Sequence, residues 1–312
     1  LRLRWLLNSL EEQTLARDRF EVIVAHDSRD DETDTLLREH PLAASGTLRG
    51  LRFDPPPPGA NSATRLRNAA WRAARAPLVA FTDDDCRAPA DWLERALAAA
   101  HAHAGAIVQG MTLPDPDEEP NQHGAFPRSQ RIVPPVPWAQ ACNIVYPRAV
   151  LEQVGGFVED PPLAAGEDTE LAIRARAAGA PYVGAREVLT WHAVYDEGLV
   201  THLRGLRRWG DLAWHLKRHP EARRHYPLWI FWKRTHVWLP VAAAGAALAR
   251  RRGPAWAVLA LPWAAHSAPA YGEGNPRGRM RAASELPLRA VVDAAEMVAC
   301  ARGAIRHRTP FL

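Results

Sequence analysis

Pro77-Leu78-Val79-Ala80-Phe81-Thr82-Asp83-Asp84-Asp85 is a short apolar run that ends in three carboxylates. Its length, with Val79 and Phe81 inside it, predicts a strand buried on both faces whose acidic end opens onto a pocket. In open α/β sheets that end of a strand is where ligands bind. Downstream, Ala88-Pro89-Ala90-Asp91-Trp92-Leu93-Glu94-Arg95-Ala96-Leu97 joins a helix-start Pro and a capping-type Asp to apolar residues at helical spacing. The triplet is therefore expected on a strand-to-helix turn. Turn capping would account for one aspartate there. Three adjacent ones repel one another, and a bound hard cation compensates them. An all-oxygen ligand set favours Mg2+ or Mn2+, and so few protein ligands imply that substrate phosphates complete the shell.

On the N-terminal side, Phe20-Glu21-Val22-Ile23-Val24-Ala25 is a strand by its β-branched content. His26-Asp27-Ser28-Arg29-Asp30-Asp31-Glu32-Thr33 is a polar turn that enters a helix at residues 35–38. Residues 48–53 read as a short strand closed by Pro55 to Pro58 and Gly59, and residues 61–76 as a helix. Strand and helix alternate, which predicts an α/β fold built on a mainly parallel sheet flanked by helices. Residues 1–10 already read as the middle of an amphipathic helix, with no initiator Met, signal peptide or strand before them. A natural first strand is accordingly expected to be missing from this chain.

Residues 114–137 are rich in Pro, Asp, Glu, Gln and Asn without periodicity, and predict a long loop of the kind that serves as a lid or binding loop. Residues 142–146 read as a strand, and residues 148–154 as a helix stopped by Gly155-Gly156. The stretch from Gly166 to Gly179 opens with acids and closes with bases and a glycine, the polarity of a well-formed helix. Residues 182–183 and 188–192 follow as extended segments. Beyond about His202 the composition shifts to Trp, Arg, His, Ala and Leu, so a catalytic domain is expected over residues 1–200 and a helical region over 201–312. In that region the apolar stretches 237–249 and 254–265 flank Arg250-Arg251-Arg252-Gly253, and each is shorter than the roughly twenty residues a bilayer span needs. Trp229, Trp232, Trp238, Trp256 and Trp263 among basic residues suit a membrane interface, predicting a membrane-associated hairpin over 228–270. The alternative is an Ala-rich hairpin packed on the rest of the protein.

A chain of 312 residues can bury a substantial core, as one large domain with an appendage or as two domains. Cys86, Cys142 and Cys300 are odd in number and widely spaced, which indicates neither a disulfide framework nor a zinc cluster and fits a reducing cytosolic face. A net charge of +4, with arginines interspersed among acids in the first half, is too weak a bias to argue for nucleic acid.

Taken in order, these motifs resemble the family 2 glycosyltransferases of GT-A (Rossmann-like) fold, of membrane-associated bacterial type, over residues 1–192. Leu6-Leu7-Asn8-Ser9-Leu10-Glu11-Glu12-Gln13-Thr14 and the strand after it resemble that family's first helix and second strand. His26-Asp27-Ser28 resembles its acidic nucleotide-binding turn, with His26 in place of one of two common acids. Arg67-Asn68 resembles the helix after its diphosphate loop, and Asp83-Asp84-Asp85 its DxD motif. Gly155-Gly156-Phe157 and Gly166-Glu167-Asp168 resemble its acceptor-side Gly-Gly-Phe and its ED motif. The resemblance implies metal-dependent, inverting transfer of a sugar from a nucleotide-diphosphate donor to a hydroxyl of a glycan or lipid-linked acceptor. It further implies a place on the cytoplasmic face of the cell membrane.

Carried over residue by residue, the resemblance gives Asp27 a hydrogen bond from the nucleobase, and Arg67 and Asn68 contact with the diphosphate. Asp85 and Asp83 ligate the cation, with Asp83 and Asp84 orienting ribose or metal-bound water. His192, after Trp191, is the third ligand, a neutral imidazole that Mn2+ tolerates better than Mg2+. Trp138, Gln140 and Asn143 fall where the family contacts its acceptor, with core packing open for Trp138. Asp168 beside Glu167 is the general base for the acceptor hydroxyl: helix-end N–H groups favour its carboxylate while Glu167 opposes ionisation. These acids could instead merely complement the helix dipole. Arg204, Arg207, Arg208 and Trp209 resemble a segment that meets a pyrophosphate or lipid phosphate, and equally suit a solvated helix face. Two other functions compete. A haloacid-dehalogenase-like phosphatase also carries Asp-x-Asp after a strand, but it expects a hydroxyl or small residue next and a downstream lysine. Here Cys86-Arg87 follow and the nearest later lysine is Lys217. The other is a non-catalytic, membrane-associated scaffold with a degenerate transferase fold.

Overall fold

Apolar residues at helical spacing turn Leu6, Leu7 and Leu10 of α1 (Arg2–Glu11) into the core. There follow β1 (Val22–His26), α2 (Glu32–Glu39), α3 (Pro41–Ala44), β2 (Leu48–Arg52), α4 (Ala63–Ala73), β3 (Leu78–Thr82) and β4 (Cys86–Arg87). Then come α5 (Trp92–Ala102), β5 (Ile107–Pro114), β6 (Pro127–Arg128), β7 (Asn143–Pro147), α6 (Arg148–Val154), α7 (Glu167–Ala177), β8 (Tyr182–His192) and β9 (Tyr195–Asp196). This computed structural model describes residues 2–57, 61–118, 126–268 and 276–312. Leu1, Pro58, Gly59, the middle of the 114–137 segment and the end of the 228–270 stretch lie outside the described residues. The chain divides into two compact units, Leu1–Glu197 and Gly198–Leu312.

In unit 1 a five-stranded sheet has the order β3-β7-β5-β8-β4, beside the two-stranded pairs β1-β2 and β6-β9. The expectation of a mainly parallel sheet is corrected. β1/β2 and β5/β8 pair parallel, while β3/β7, β5/β7, β4/β8 and β6/β9 pair antiparallel. A parallel neighbour needs a crossover, usually a helix. Between β5 and β7 the described residues contain no helix, so the chain returns antiparallel. Side chains alternate across this sheet into two cores. Val108 and Val145 pack with Leu6, Leu7, Trp92 and Val188, whereas Ile107, Ile144 and Tyr146 pack with Trp71, Phe81, Leu151, Phe157 and Leu171. Both faces are covered, and function is left to the strand ends.

The aspartate triplet occupies a tight turn between two strands, not a strand-to-helix turn. The amide of Cys86 donates to the carbonyl of Asp83 (3.1 Å), and Cys86 then pairs with His192 on β8. That pairing brings residues more than a hundred positions apart to one sheet edge.

Unit 2 contains α8 (Leu199–Gly205), α9 (Leu212–Arg218), α10 (Arg234–Arg252), α11 (Leu261–Ser267) and α12 (Pro276–His307). Among the described residues no helix is long and apolar enough to cross a membrane. The start of α10 is tied to α12 at buried Glu296: Lys233, the residue before α10, donates to both carboxylate oxygens (2.7 Å each), and His236 Nε2 lies 3.2 Å from Oε2. Of the five tryptophans read as interfacial, Trp229 and Trp256 are exposed, beside exposed Leu228, Val258 and Leu261. Trp263 is corrected: it is buried, and its indole donates to Asp293 (2.9 Å), because α11 turns that ring inward against α12.

Candidate functional site

Arg67 on α4 is the hub of the site. Its guanidinium donates to Asp83 Oδ1 (3.0 Å), Glu167 Oε1 (3.0 Å) and Asp168 Oδ1 (3.4 Å), joining the triplet to the first turn of α7. Burial alone would lower its pKa, but the charges of Asp168, Asp83 and Glu167 more than reverse that, so the group stays a cation. Gly166, at φ +87°, allows the sharp entry into α7 that sets Glu167 and Asp168 side by side. Asp168 Oδ2 accepts from the amide of Ala141 (3.0 Å), and Thr169 donates to the carbonyl of Trp138 (2.8 Å), so the segment leading into β7 is tied to the same turn. Burial, then the neighbouring Glu167 charge, push the Asp168 carboxyl up to about 8, against the pull of Arg67 and the Ala141 amide. The helix end was expected to keep this group ionised, and desolvation outweighs it.

At the other side of the turn, Asp83, Asp85 and His192 bring one ligand atom each within 4.8 Å of one another. His192 Nδ1 lies 2.8 Å from the carbonyl of Ala193, which can only accept, so Nδ1 carries a proton and donates it there, leaving Nε2 for a second partner. Nε2 faces Asp85 Oδ1 at 3.5 Å. Two carboxylates and one imidazole nitrogen at this spacing form a ligand set that could hold a divalent cation. Asp84 is the exposed member of the triplet.

Two residues expected at the substrate are structural instead. Asn68 is fully buried: its amide donates to Phe157 O (2.8 Å) and Glu159 Oε1 (2.6 Å), while its oxygen accepts from Trp71 Nε1 and Phe157 N. Asn143 is equally buried, donating to Met111 O and Val188 O (2.8 Å each) and accepting from Trp92 Nε1 (3.0 Å). Asn68 makes four amide hydrogen bonds within the fold and Asn143 three, both N–H donors included. Gln140 accepts from Gln109 Nε2 (3.2 Å), and Trp138 is half-buried near α7. Asp27 accepts from Ser62 Oγ. Beyond Asp27, a cavity of about 440 Å³ is lined by Ser28, Arg29, Arg52, Phe53, Asp54 and Pro55 at the ends of β1 and β2. One contact has no signature in the sequence: Tyr195 Oη donates to Asp85 Oδ2 (3.0 Å).

Residues 2–155 match the family model described as glycosyl transferase family 2. Those residues, just under half of the chain, carry a family 2 glycosyltransferase domain. Validoxylamine A glucosyltransferase of Streptomyces hygroscopicus subsp. jinggangensis (strain 5008) is 30% identical over 217 residues, covering 58% of this chain and 50% of the relative. Glycosyltransferase AglE of Haloferax volcanii is 25% identical over 191 residues, 60% of each chain. The chain thus spans about half the length of the first of these relatives. Among solved structures, the mannosyltransferase PcManGT from Pyrobaculum calidifontis, in complex with GDP-Man and Mn2+, superposes with a TM-score of 0.56 at 18% identity. That superposition covers 97% of this chain and 83% of the other, a likeness of fold. The family 2 match places the aspartate triplet in a glycosyltransferase domain and sets the phosphatase reading aside.

Proposed function

We propose that the chain is a metal-dependent, inverting glycosyltransferase that moves a sugar from a nucleotide-diphosphate donor to a hydroxyl of a glycan or lipid-linked acceptor. The observation that carries this reading is the Arg67 junction, which holds a cation-type cluster and a buried, proton-hungry carboxylate on either side of one guanidinium. Asp83, Asp85 and His192 would hold Mn2+ or Mg2+, which supplies compensation for the charge of the departing diphosphate. Asp27 and the neighbouring cavity suit the nucleoside, Asp84 the ribose, and Arg67 the diphosphate. Trp138 and Gln140, tethered near α7, are the acceptor-side residues.

Asp168, with Glu167 beside it, takes the proton of the acceptor hydroxyl. The acceptor oxygen then attacks the anomeric carbon from the face opposite the diphosphate. The carbon–oxygen bond to the diphosphate breaks with its electron pair leaving on the nucleotide, which inverts the anomeric centre. The relatives support the donor class: one is named as a glucosyltransferase, and a fold neighbour is a complex with GDP-Man and Mn2+. We extend the proposal to the cytoplasmic face of the membrane, supported by the exposed Leu228, Trp229, Trp256, Val258 and Leu261 and the exposed Arg250, Arg251 and Arg252 of unit 2.

A panel of UDP-, GDP- and dTDP-sugars with Mn2+ tests the donor by thermal shift, since a ligand of the native state raises its stability. One base class is expected to stabilise the protein. Asp168→Asn is expected to keep that shift and lose about 10²–10⁴-fold in turnover, the usual share of a general base. Absence of any stabilising nucleotide sugar, or near-normal turnover of the variant, would overturn the reading.

A further inference from the structure

The end of β8 and the short segment after it grip Asp85 at three points. The amide of Ala193 donates to the Asp85 carbonyl (2.9 Å), His192 Nε2 faces Oδ1 (3.5 Å), and the Tyr195 hydroxyl donates to Oδ2 (3.0 Å). Tyr195 is itself held firmly. It pairs with Arg128 in the β6/β9 ladder, and its ring is covered by the guanidiniums of Arg128 (4.5 Å to the ring centre) and Arg2 (5.3 Å). Those cations are anchored in turn: Arg128 donates to Glu197 (2.7 Å), and Arg2 pairs with Glu118, which also accepts from the amide of Val194 (2.9 Å). Four separate stretches of unit 1 therefore converge to fix one phenol against one carboxylate oxygen.

A carboxylate can rotate about its terminal torsion, which is broad and twofold. A donor on one oxygen stops that rotation and decides which lone pairs remain free. We propose that Tyr195 is a positioning residue for Asp85: its hydroxyl occupies Oδ2 and so leaves Oδ1, next to His192 Nε2 and the Asp83 carboxylate, turned toward a divalent cation. The inference rests on reading Asp83, Asp85 and His192 as the cation site. Hydrogen bonds of this outer kind orient metal ligands and typically change metal affinity about 10–100-fold when removed. The ring's stacking on Arg128 and Arg2 does not involve the hydroxyl, so the two roles of Tyr195 can be separated.

The test is Mn2+ binding to the full chain, read from the loss of the free-ion electron paramagnetic resonance signal, with melting temperature measured in metal-free buffer. Tyr195→Phe keeps the ring and is expected to weaken Mn2+ binding about 10-fold or more at an unchanged metal-free melting temperature. Arg128→Met loosens the same ladder but keeps the hydroxyl, and is expected to lower the melting temperature while leaving Mn2+ affinity within about twofold of the parent. Parental Mn2+ affinity in Tyr195→Phe overturns the proposal, as does an equal loss of affinity in both variants. Asp85→Asn reports on the reading beneath it: if that variant binds Mn2+ as the parent does, the cation site itself is misplaced.

Discussion

Asp83, Glu167 and Asp168 would repel one another if Arg67 did not stand between them, and each is only partly reachable by water. The single guanidinium does not satisfy all three acids, and the least compensated of them shows it: the Asp168 carboxyl is pushed up to about 8 from an ordinary 3.8 by burial and by Glu167. A folded-state pKa above the unfolded value means that native Asp168 keeps its proton while the unfolded chain has lost it. Folding therefore loses stability through this group as pH rises from about 4 toward about 8. Asn cannot ionise, so in metal-free buffer Asp168→Asn is expected to melt at progressively higher temperature relative to the parent between pH 5 and pH 8.5. Paired thermal melts at the two pH values check it. A variant that instead loses ground at the higher pH would show that Arg67 stabilises the carboxylate more than burial opposes it. The same imbalance serves function, because a base that titrates near neutrality can both take and release the acceptor proton.

At the scale of elements, the Gly155-Gly156 stop of α6 shows why adjacent glycines are not equivalent. Both adopt the left-handed conformation, at φ +79° and +76°. A Cβ at Gly155 would meet nothing within 4 Å, whereas one at Gly156 would run into Asn68 Oδ1 and, at 2.6 Å, Trp71 Nε1. Gly155→Ala is thus expected to cost about 1 kcal/mol, the strain of the backbone alone. Gly156→Ala adds a clash with the buried Asn68 hub and should cost about 3 kcal/mol or more by denaturant titration. The sequence made this stop legible, as it did β1, β2, β3, α6 and α7, because caps, glycines and apolar runs act within a few residues of themselves. Strand direction is a different kind of property. β7 runs antiparallel because of what lies between it and β5, and no local pattern in residues 143–147 encodes that. β5 itself escaped notice because Gln109, Gly110 and Thr112 interrupt its apolar run, although Gln109 and Thr112 are fully buried and hydrogen-bonded to partners far along the chain. The site divides in the same way. Asp83, Asp85 and Asp168 stand at element ends, a placement legible in the sequence, and the structure sets His192, named by resemblance, beside Asp83 and Asp85. The contacts of Asn68, Asn143 and Tyr195 are not legible in the sequence, because they depend on atoms 30 to 110 positions distant.

Over the whole molecule the modest net charge of +4 conceals a sharp partition. Residues 1–197 carry 20 Lys and Arg against 29 Asp and Glu, while residues 198–312 carry 19 against 6. A unit with an excess of thirteen positive charges seeks an anionic partner, and its composition narrows which kind. Its exposed Leu228, Trp229, Val258 and Leu261 are large apolar side chains that a polyanion in water would leave uncovered, but that the boundary of a lipid headgroup layer accepts. Arg250, Arg251 and Arg252 are exposed between the two apolar stretches, where each would gain about 1 kcal/mol near an anionic surface. Attachment by the arginines would be electrostatic, and by the exposed apolar side chains a shallow insertion. The full chain is therefore expected to sediment with vesicles containing about one third anionic lipid at low salt, and to be released near 1 M salt, where screening shortens to about 3 Å. Replacing Arg250, Arg251 and Arg252 with Gln should reduce binding mainly at low salt. Leu228→Ser with Trp229→Ser should instead shorten the time spent bound at every salt concentration, since apolar insertion is not screened. A chain that stays in the supernatant with anionic vesicles at low salt would remove the membrane from the proposal and leave the basic unit to a soluble, anionic acceptor.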